Sequence, residues 1–158
     1  MEESSKKIVA TLNDLIQINN DRREGYKVAV AEISDPVLQE LFARHSLQSE
    51  VFAAELEKQV IELQGEPVEG TRTDGKIFRI WMDIKAALSG NDRKAILNSC
   101  EYGEDVALRT YEEALMADVI LPVPARQIIS KQKRELQEAH NTIKTLRDAP
   151  ASSARHVF

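Results

Sequence analysis

The sequence has a single cysteine, Cys100, and so cannot build an internal disulfide framework; a lone thiol suits a reducing cytosol. No apolar run approaches the roughly 18 residues that cross a bilayer. The first residues, MEESSKKIVA, are too polar for a secretory signal, so the expected location is the cytoplasm. Basic charge is not in excess either: Lys+Arg number 21 against 26 Asp+Glu, a net charge of -5. Such a surface offers nucleic acid or an anionic membrane no large attractive field, and neither is expected as a partner. There is no P-loop, no dinucleotide fingerprint and no defensible Ser/His/Asp or Cys/His arrangement. What is present, 158 residues with 30% charged and 42% hydrophobic, is one soluble domain's worth of chain.

Proline and glycine are also scarce, and the few there are divide the chain cleanly. Asp35 can cap a helix that starts at Pro36, whose missing N–H is no loss there. Gly65, Pro67, Gly70 and Gly75 mark a loop in LQGEPVEGTRTDGK, and Gly90-Asn91-Asp92 reads as a stop followed by a new cap. Pro122 and Pro124 bracket a short connection, and Pro150 ends the regular chain. Five segments remain, roughly 6–33, 36–64, 73–89, 92–118 and 123–148, all rich in good helix formers. Residues 1–149 are expected to form a single domain, with 150–158 a frayed tail.

Periodicity predicts helices for the four long segments. Leu12, Ile16, Asn19, Arg23, Tyr26, Val30 and Ile33 follow an alternating spacing of four and three. So do Leu38, Phe42, His45, Ser49, Phe52, Leu56, Gln59 and Leu63 in the second segment. Leu97, Glu101, Glu104, Leu108, Tyr111 and Leu115 repeat the pattern, as do Ala125, Ile129, Gln132, Leu136, Ala139, Ile143 and Leu146. Each set occupies one helix face, which suits an all-α four-helix bundle of rods about 40–45 Å long. The first and second rods, and the third and fourth, are joined by a few residues and must be antiparallel neighbours. About 27 residues, with a short fifth helix carrying Trp81, connect the second rod to the third. That length favours a crossover running the full height of the bundle; an up-down-up-down bundle with a helical excursion is the alternative.

Each core stripe turns polar near its midpoint: Asn19 and Arg23, His45 and Ser49, Glu101 and Glu104, then Gln132. His140 lies one position off its stripe and can also reach inward. An unpaired buried carboxylate costs several kcal/mol, so two inward glutamates need partners. In one reading Arg23, His45, His140 and the hydroxyls of Tyr26 and Tyr111 supply them, in a polar core layer shared with Asn19, Ser49 and Gln132. In the other, Glu101, Glu104, His140 and His45 hold iron or another divalent metal. Motif arithmetic counts against the second, because di-iron bundles carry two Glu-x-x-His pairs and this chain has none. Its nearest approach is Gln137 three residues before His140, while Phe42 precedes His45. Cys100 beside a core stripe reads as a small buried hydrophobe. The KQKRE run at Lys131–Glu135 reads as a solvated face.

Several strings carry a family resemblance. LNDLI, Asp21 with Gly25-Tyr26, FAAEL at Phe52–Leu56, WMDIKAALSGND, CEYGEDVAL with YEEAL, and EAHNTIKTLRD occur in that order. Together, over roughly residues 6–148, the chain resembles a bacterial family of small ferritin-like four-helix bundles, domain of unknown function 2383. The resemblance implies a ferritin-like fold with its crossover between the second and third long helices, and no particular activity. Bacterioferritin and rubrerythrin, better-known relatives, oxidise or store iron through carboxylate-histidine sites, and this sequence departs from their ligand pattern. The expectation is a non-enzymatic homo-oligomer, with a dimer favoured, acting through its surfaces; the alternative is a metal-binding oxidase with an atypical centre.

Overall fold

The structure, a computed structural model, describes residues 3–70 and 92–149. Its elements are four helices: α1 (Glu3–Glu32), α2 (Pro36–Glu62), α3 (Arg93–Met116) and α4 (Val123–Asp148). The short helix expected around Trp81 lies outside the described residues. The caps are those the sequence implies. Asp35 Oδ1 accepts from the Val37 and Leu38 amides at 2.9 and 3.4 Å, ahead of Pro36. Asp92 Oδ1 accepts from the Ala95 amide at 3.1 Å. Both use a short acidic side chain to satisfy amides that the first helical turn leaves unpaired.

The end of α2 is less ordinary. The Gly65 amide bonds the Val60 carbonyl at 3.0 Å and the Gln64 amide bonds the Ile61 carbonyl at 2.9 Å, the paired closure of a Schellman motif. The left-handed position within it is held by Gln64, at φ 63°, where glycine is the usual occupant. Glycine instead falls one residue later, because a Cβ at Gly65 would sit 2.8 and 2.9 Å from the two methyls of buried Val9. Gln64→Gly is therefore expected to raise stability by about 0.5–1 kcal/mol. Gly65→Ala should lower it by about 1–3 kcal/mol through overpacking. Urea denaturation of the two variants checks both signs.

Side-chain contacts fix the helix directions. Asn19 bonds Tyr111 and Tyr26 bonds Glu104, so α1 and α3 run antiparallel. Asn19 meets Ser49 while Ser46 bonds the Arg23 carbonyl, so α1 and α2 run antiparallel too. Consequently α2 and α3 are parallel, and Arg93 at the start of α3 lies 3.7 Å from Asp35 at the start of α2. The chain between them must travel the height of the bundle, which is the crossover arrangement. Its first residues already do so. Asn13 bonds the backbone of Glu66 and Val68, and Asn20 bonds the Gly70 carbonyl, so the connection climbs along α1.

The core between the four helices is aliphatic above and below a polar middle. Leu12, Leu15, Ile16, Leu38, Phe42, Leu56, Leu97, Ile129, Leu136 and Ile143 are fully buried. Burial of such side chains contributes roughly 1.5–3 kcal/mol each and is the main stabilising term. Among the described residues, no helix is long and apolar enough to cross a membrane.

Candidate functional site

Glu104 of α3 sits at the middle of the bundle, 1% exposed. Its Oε1 accepts from Arg22 Nε at 2.8 Å and from the Tyr26 hydroxyl at 2.6 Å. Arg22 Nη1 in turn donates to Ser49 Oγ at 2.8 Å and to the His45 carbonyl at 3.2 Å. Ser49 Oγ donates to Asn19 Oδ1 at 3.0 Å, and Asn19 Nδ2 donates to the Tyr111 hydroxyl at 2.8 Å. The path reaches α4 where Tyr111 donates to Gln132 Oε1 at 2.6 Å, and returns to α2 where Gln132 Nε2 donates to Glu55 Oε1 at 3.0 Å. One continuous hydrogen-bonded path thus ties all four helices together at mid-height.

Its electrostatics follow from burial. Desolvation alone would push the Glu104 carboxyl up. The Arg22 guanidinium, then His45 and the two hydrogen bonds, outweigh it and hold the group below the ordinary carboxylate range. Burial works against the charged form of Arg22 as well, yet Glu104 beside it keeps the guanidinium protonated. The pair is a buried salt bridge, with Arg22 2% and Glu104 1% exposed. His45 is pushed down to about 4, first by desolvation and then by Arg22, and so is neutral near pH 7. Burial, reinforced by the Glu104 charge, also raises the Cys100 thiol, which leaves it a packing residue and no nucleophile. Arg22 Nη2, His45 Nδ1 and Glu104 Oε2 are buried without a hydrogen-bond partner among the described residues.

The structure brings together Asn19, Tyr26, Ser49, Tyr111, Gln132 and Glu104, with His45 alongside. Arg23 requires a correction: the inward arginine is Arg22. Arg23 is half-buried and bonds its neighbour Glu24 at 3.2 Å. On a helical wheel Arg22 and Arg23 fall about 60° and 40° to either side of Asn19, so stripe counting cannot choose between them. Glu104 decides the matter, since only the Arg22 side of the stripe faces α3. The buried Asn20, Asp21 and Ser46 were missed by the same counting. Their signal was the polar run Asn19 to Arg23 in the middle of a core helix, which the crossover covers from a second side at Asn20.

Glu101 and His140 are not in the layer. They line an outer groove between α3 and α4, where His140 Nε2 lies 2.8 Å from Asp105 Oδ1 and 3.7 Å from Glu101 Oε1. The four metal candidates read from sequence therefore separate into an inner pair, Glu104 with His45, and an outer pair, Glu101 with His140.

The model of a protein family, a domain of unknown function (DUF2383), matches residues 7–117. The chain belongs to this family. No curated protein matches the sequence. Two solved structures are similar to this chain in fold. One is a dodecameric thioferritin, the bacterioferritin-related protein from Bacteroides fragilis. It aligns with a TM-score of 0.72 at 18% identity, covering 89% of this chain and 84% of that one. The other is a ferritin-like, diiron-carboxylate protein from Bacillus anthracis, with a TM-score of 0.65, 16% identity, and coverage of 92% and 96%. Likeness at these identities is one of fold: this DUF2383 chain is a ferritin-like four-helix bundle.

A di-iron centre takes carboxylates from all four helices and a Glu-x-x-His pair from two of them. In this DUF2383 protein the α1 residue facing Glu104 is an arginine, whose guanidinium already supplies the positive charge beside the carboxylate. From α2 come a neutral histidine and Glu55, the latter engaged by Gln132, which is what α4 presents at this level. These residues do not fit a di-iron group.

Proposed function

We propose that this protein is a non-enzymatic ferritin-fold scaffold whose interior is a structural salt bridge and which acts through the surfaces of a homo-oligomer. The observation that supports it best is the Arg22–Glu104 pair, a buried ion pair at the middle of the bundle whose carboxylate already has its cation. A dication there would meet a guanidinium 2.8 Å from its would-be ligand and pay the repulsion of two like charges at low dielectric. Association has its own support. Leu47 and Val51, four residues apart on the outward face of α2 and 59% and 49% exposed, are apolar surface of the kind that marks interaction sites. A dimer along the long helices is the first unit of that assembly, in the bacterial cytoplasm that the lone buried thiol suits.

Two measurements test the reading. Metal analysis of protein purified without chelator should give the same content for wild type and Glu104→Gln, while the melting temperature of the variant falls. Metal lost in Glu104→Gln would overturn the structural role of the interior. Light scattering should give a mass of two chains or more at micromolar concentration, reduced to one chain by Leu47→Asp with Val51→Asp. A wild-type monomer would remove the oligomer.

A further inference from the structure

We propose that Glu101, Asp105 and His140 form a mononuclear site for a divalent first-row transition ion, in the outer groove between α3 and α4 and separate from the interior. The three side chains each offer one ligand atom, and these atoms lie within 4.8 Å of one another. Glu101 and Asp105 are four residues apart on α3 and so share a face. His140 reaches them from the antiparallel α4, giving two carboxylates and one imidazole from two rigid helices.

The two distances from His140 are close to those around an ion. Ligand atoms each about 2.0–2.2 Å from a metal stand roughly 3–3.5 Å from one another in tetrahedral or octahedral geometry. His140 Nε2 lies 2.8 Å from Asp105 Oδ1 and 3.7 Å from Glu101 Oε1, on either side of that range. Rotamer adjustments of a few tenths of an ångström equalise them.

The flanking residues divide the work of orientation. Arg147 binds Glu101 through Oε2, which steadies the carboxylate and leaves Oε1 directed at His140. On the far side of the imidazole, His140 Nδ1 faces Asn141 Oδ1 at 3.4 Å. Gln137 Nε2 donates to that same oxygen at 3.1 Å and holds it in place. A ring proton on Nδ1, facing Asn141, would leave the Nε2 lone pair for an ion held between the two carboxylates. Metal-bound histidines are oriented in this way by an acceptor on the second nitrogen. Nitrogen and carboxylate donors together select Zn(II), Fe(II) or Mn(II) over the oxygen-seeking Ca(II) and Mg(II). Partial exposure, 14–15% at His140 and Glu101 and 44% at Asp105, leaves coordination positions for water or a ligand.

A plain Nε2–H hydrogen bond to Asp105 is the competing account of the 2.8 Å contact, and the test separates the two. Full-length protein stripped with chelator is titrated with Zn(II) and with Co(II), with calorimetry and the Co(II) visible spectrum as readouts. The expected result is one ion per chain and a shifted ring-nitrogen resonance of His140. Affinity should fall at least tenfold in His140→Ala and in the Glu101→Gln, Asp105→Asn double variant. Asn141→Ala should weaken binding roughly tenfold, as loss of an orienting partner does. Glu104→Gln and His45→Gln should bind as wild type does. Absence of a stoichiometric ion, with the His140 ring resonance unmoved by Zn(II), would overturn the proposal and leave the proposed scaffold function standing. Binding lost in Glu104→Gln and kept in His140→Ala would overturn both.

Discussion

Glu104→Ala is expected to destabilise the protein by about 3–5 kcal/mol, the usual consequence of leaving one member of a buried ion pair without the other. Against a total stability of about 5–15 kcal/mol, that is enough to unfold a marginal domain. The cause is specific. Arg22 loses the acceptor of its Nε, 2.8 Å away, and remains a guanidinium 2% exposed. The Tyr26 hydroxyl loses a partner at 2.6 Å in the same step. Three companions make the attribution testable by denaturant unfolding. Removing both charges at once, in Arg22→Met with Glu104→Leu, should recover most of the loss, since an apolar pair of similar volume avoids the desolvation of either ion. A double-mutant cycle between Arg22 and Glu104 should show coupling of about 0.5–3 kcal/mol. Arg23→Ala should stay within about 0.5 kcal/mol of wild type, because among the described residues its half-buried side chain pairs with Glu24 along its own helix surface. If Glu104→Ala and Arg22→Met with Glu104→Leu were equally unstable, the pair would be contributing something other than charge compensation.

Much of this architecture is legible in the residues themselves. The helix starts at Pro36 and Arg93 follow from an aspartate placed before each, since only a few side chains can satisfy the first amides of a helix. The parallel course of α2 and α3 follows from the length of chain between them, which exceeds what a hairpin needs. The polar layer was visible because a stripe of period 3.6 that switches to Asn, Ser, His, Glu and Gln at one height has few physical explanations. What was hidden is finer than one helical turn. Arg22 and Arg23 are both close enough to the stripe to be candidates, and the choice depends on where α3 sits. Glu101 and Glu104 differ by three residues, about 60° on the wheel. That rotation carries one into the core and the other into the groove with Arg147 and Asp105. Asp105 escaped notice for the complementary reason. It lies on an exposed face by its own helix's pattern and becomes a neighbour of His140 only once α4 is packed beside it.

Acidification should expose the same interior through a second group, with a loss of about 3 kcal/mol between pH 6.5 and 4. His45 is 7% exposed and packs its ring edge-on against Tyr26, with centroids 5.1 Å apart. Burial first, then the Arg22 charge and to a smaller extent Arg44, oppose a positive charge there, and Glu104 only partly offsets them, so the folded imidazole titrates at about 4 in place of 6.5. Between those values the unfolded chain takes up a proton that the folded one refuses. Stability therefore rises with pH across the window: the contribution is complete above 6.5 and disappears as the pH falls toward 4. Each pH unit of displacement corresponds to about 1.4 kcal/mol, which sets the size of the effect. Glu104 acts in a different range. Its carboxyl is held below the ordinary value, so its contribution is present above pH 4.5 and is lost only as the solution becomes more acidic than that. The two are thus separable. The difference in unfolding free energy between wild type and His45→Gln, measured from pH 7 down to pH 5, should shrink steadily as the neutral amide removes the proton uptake. A difference that stays constant over that range would mean that the imidazole charges freely in the folded bundle, and that the region around Arg22 is open to water.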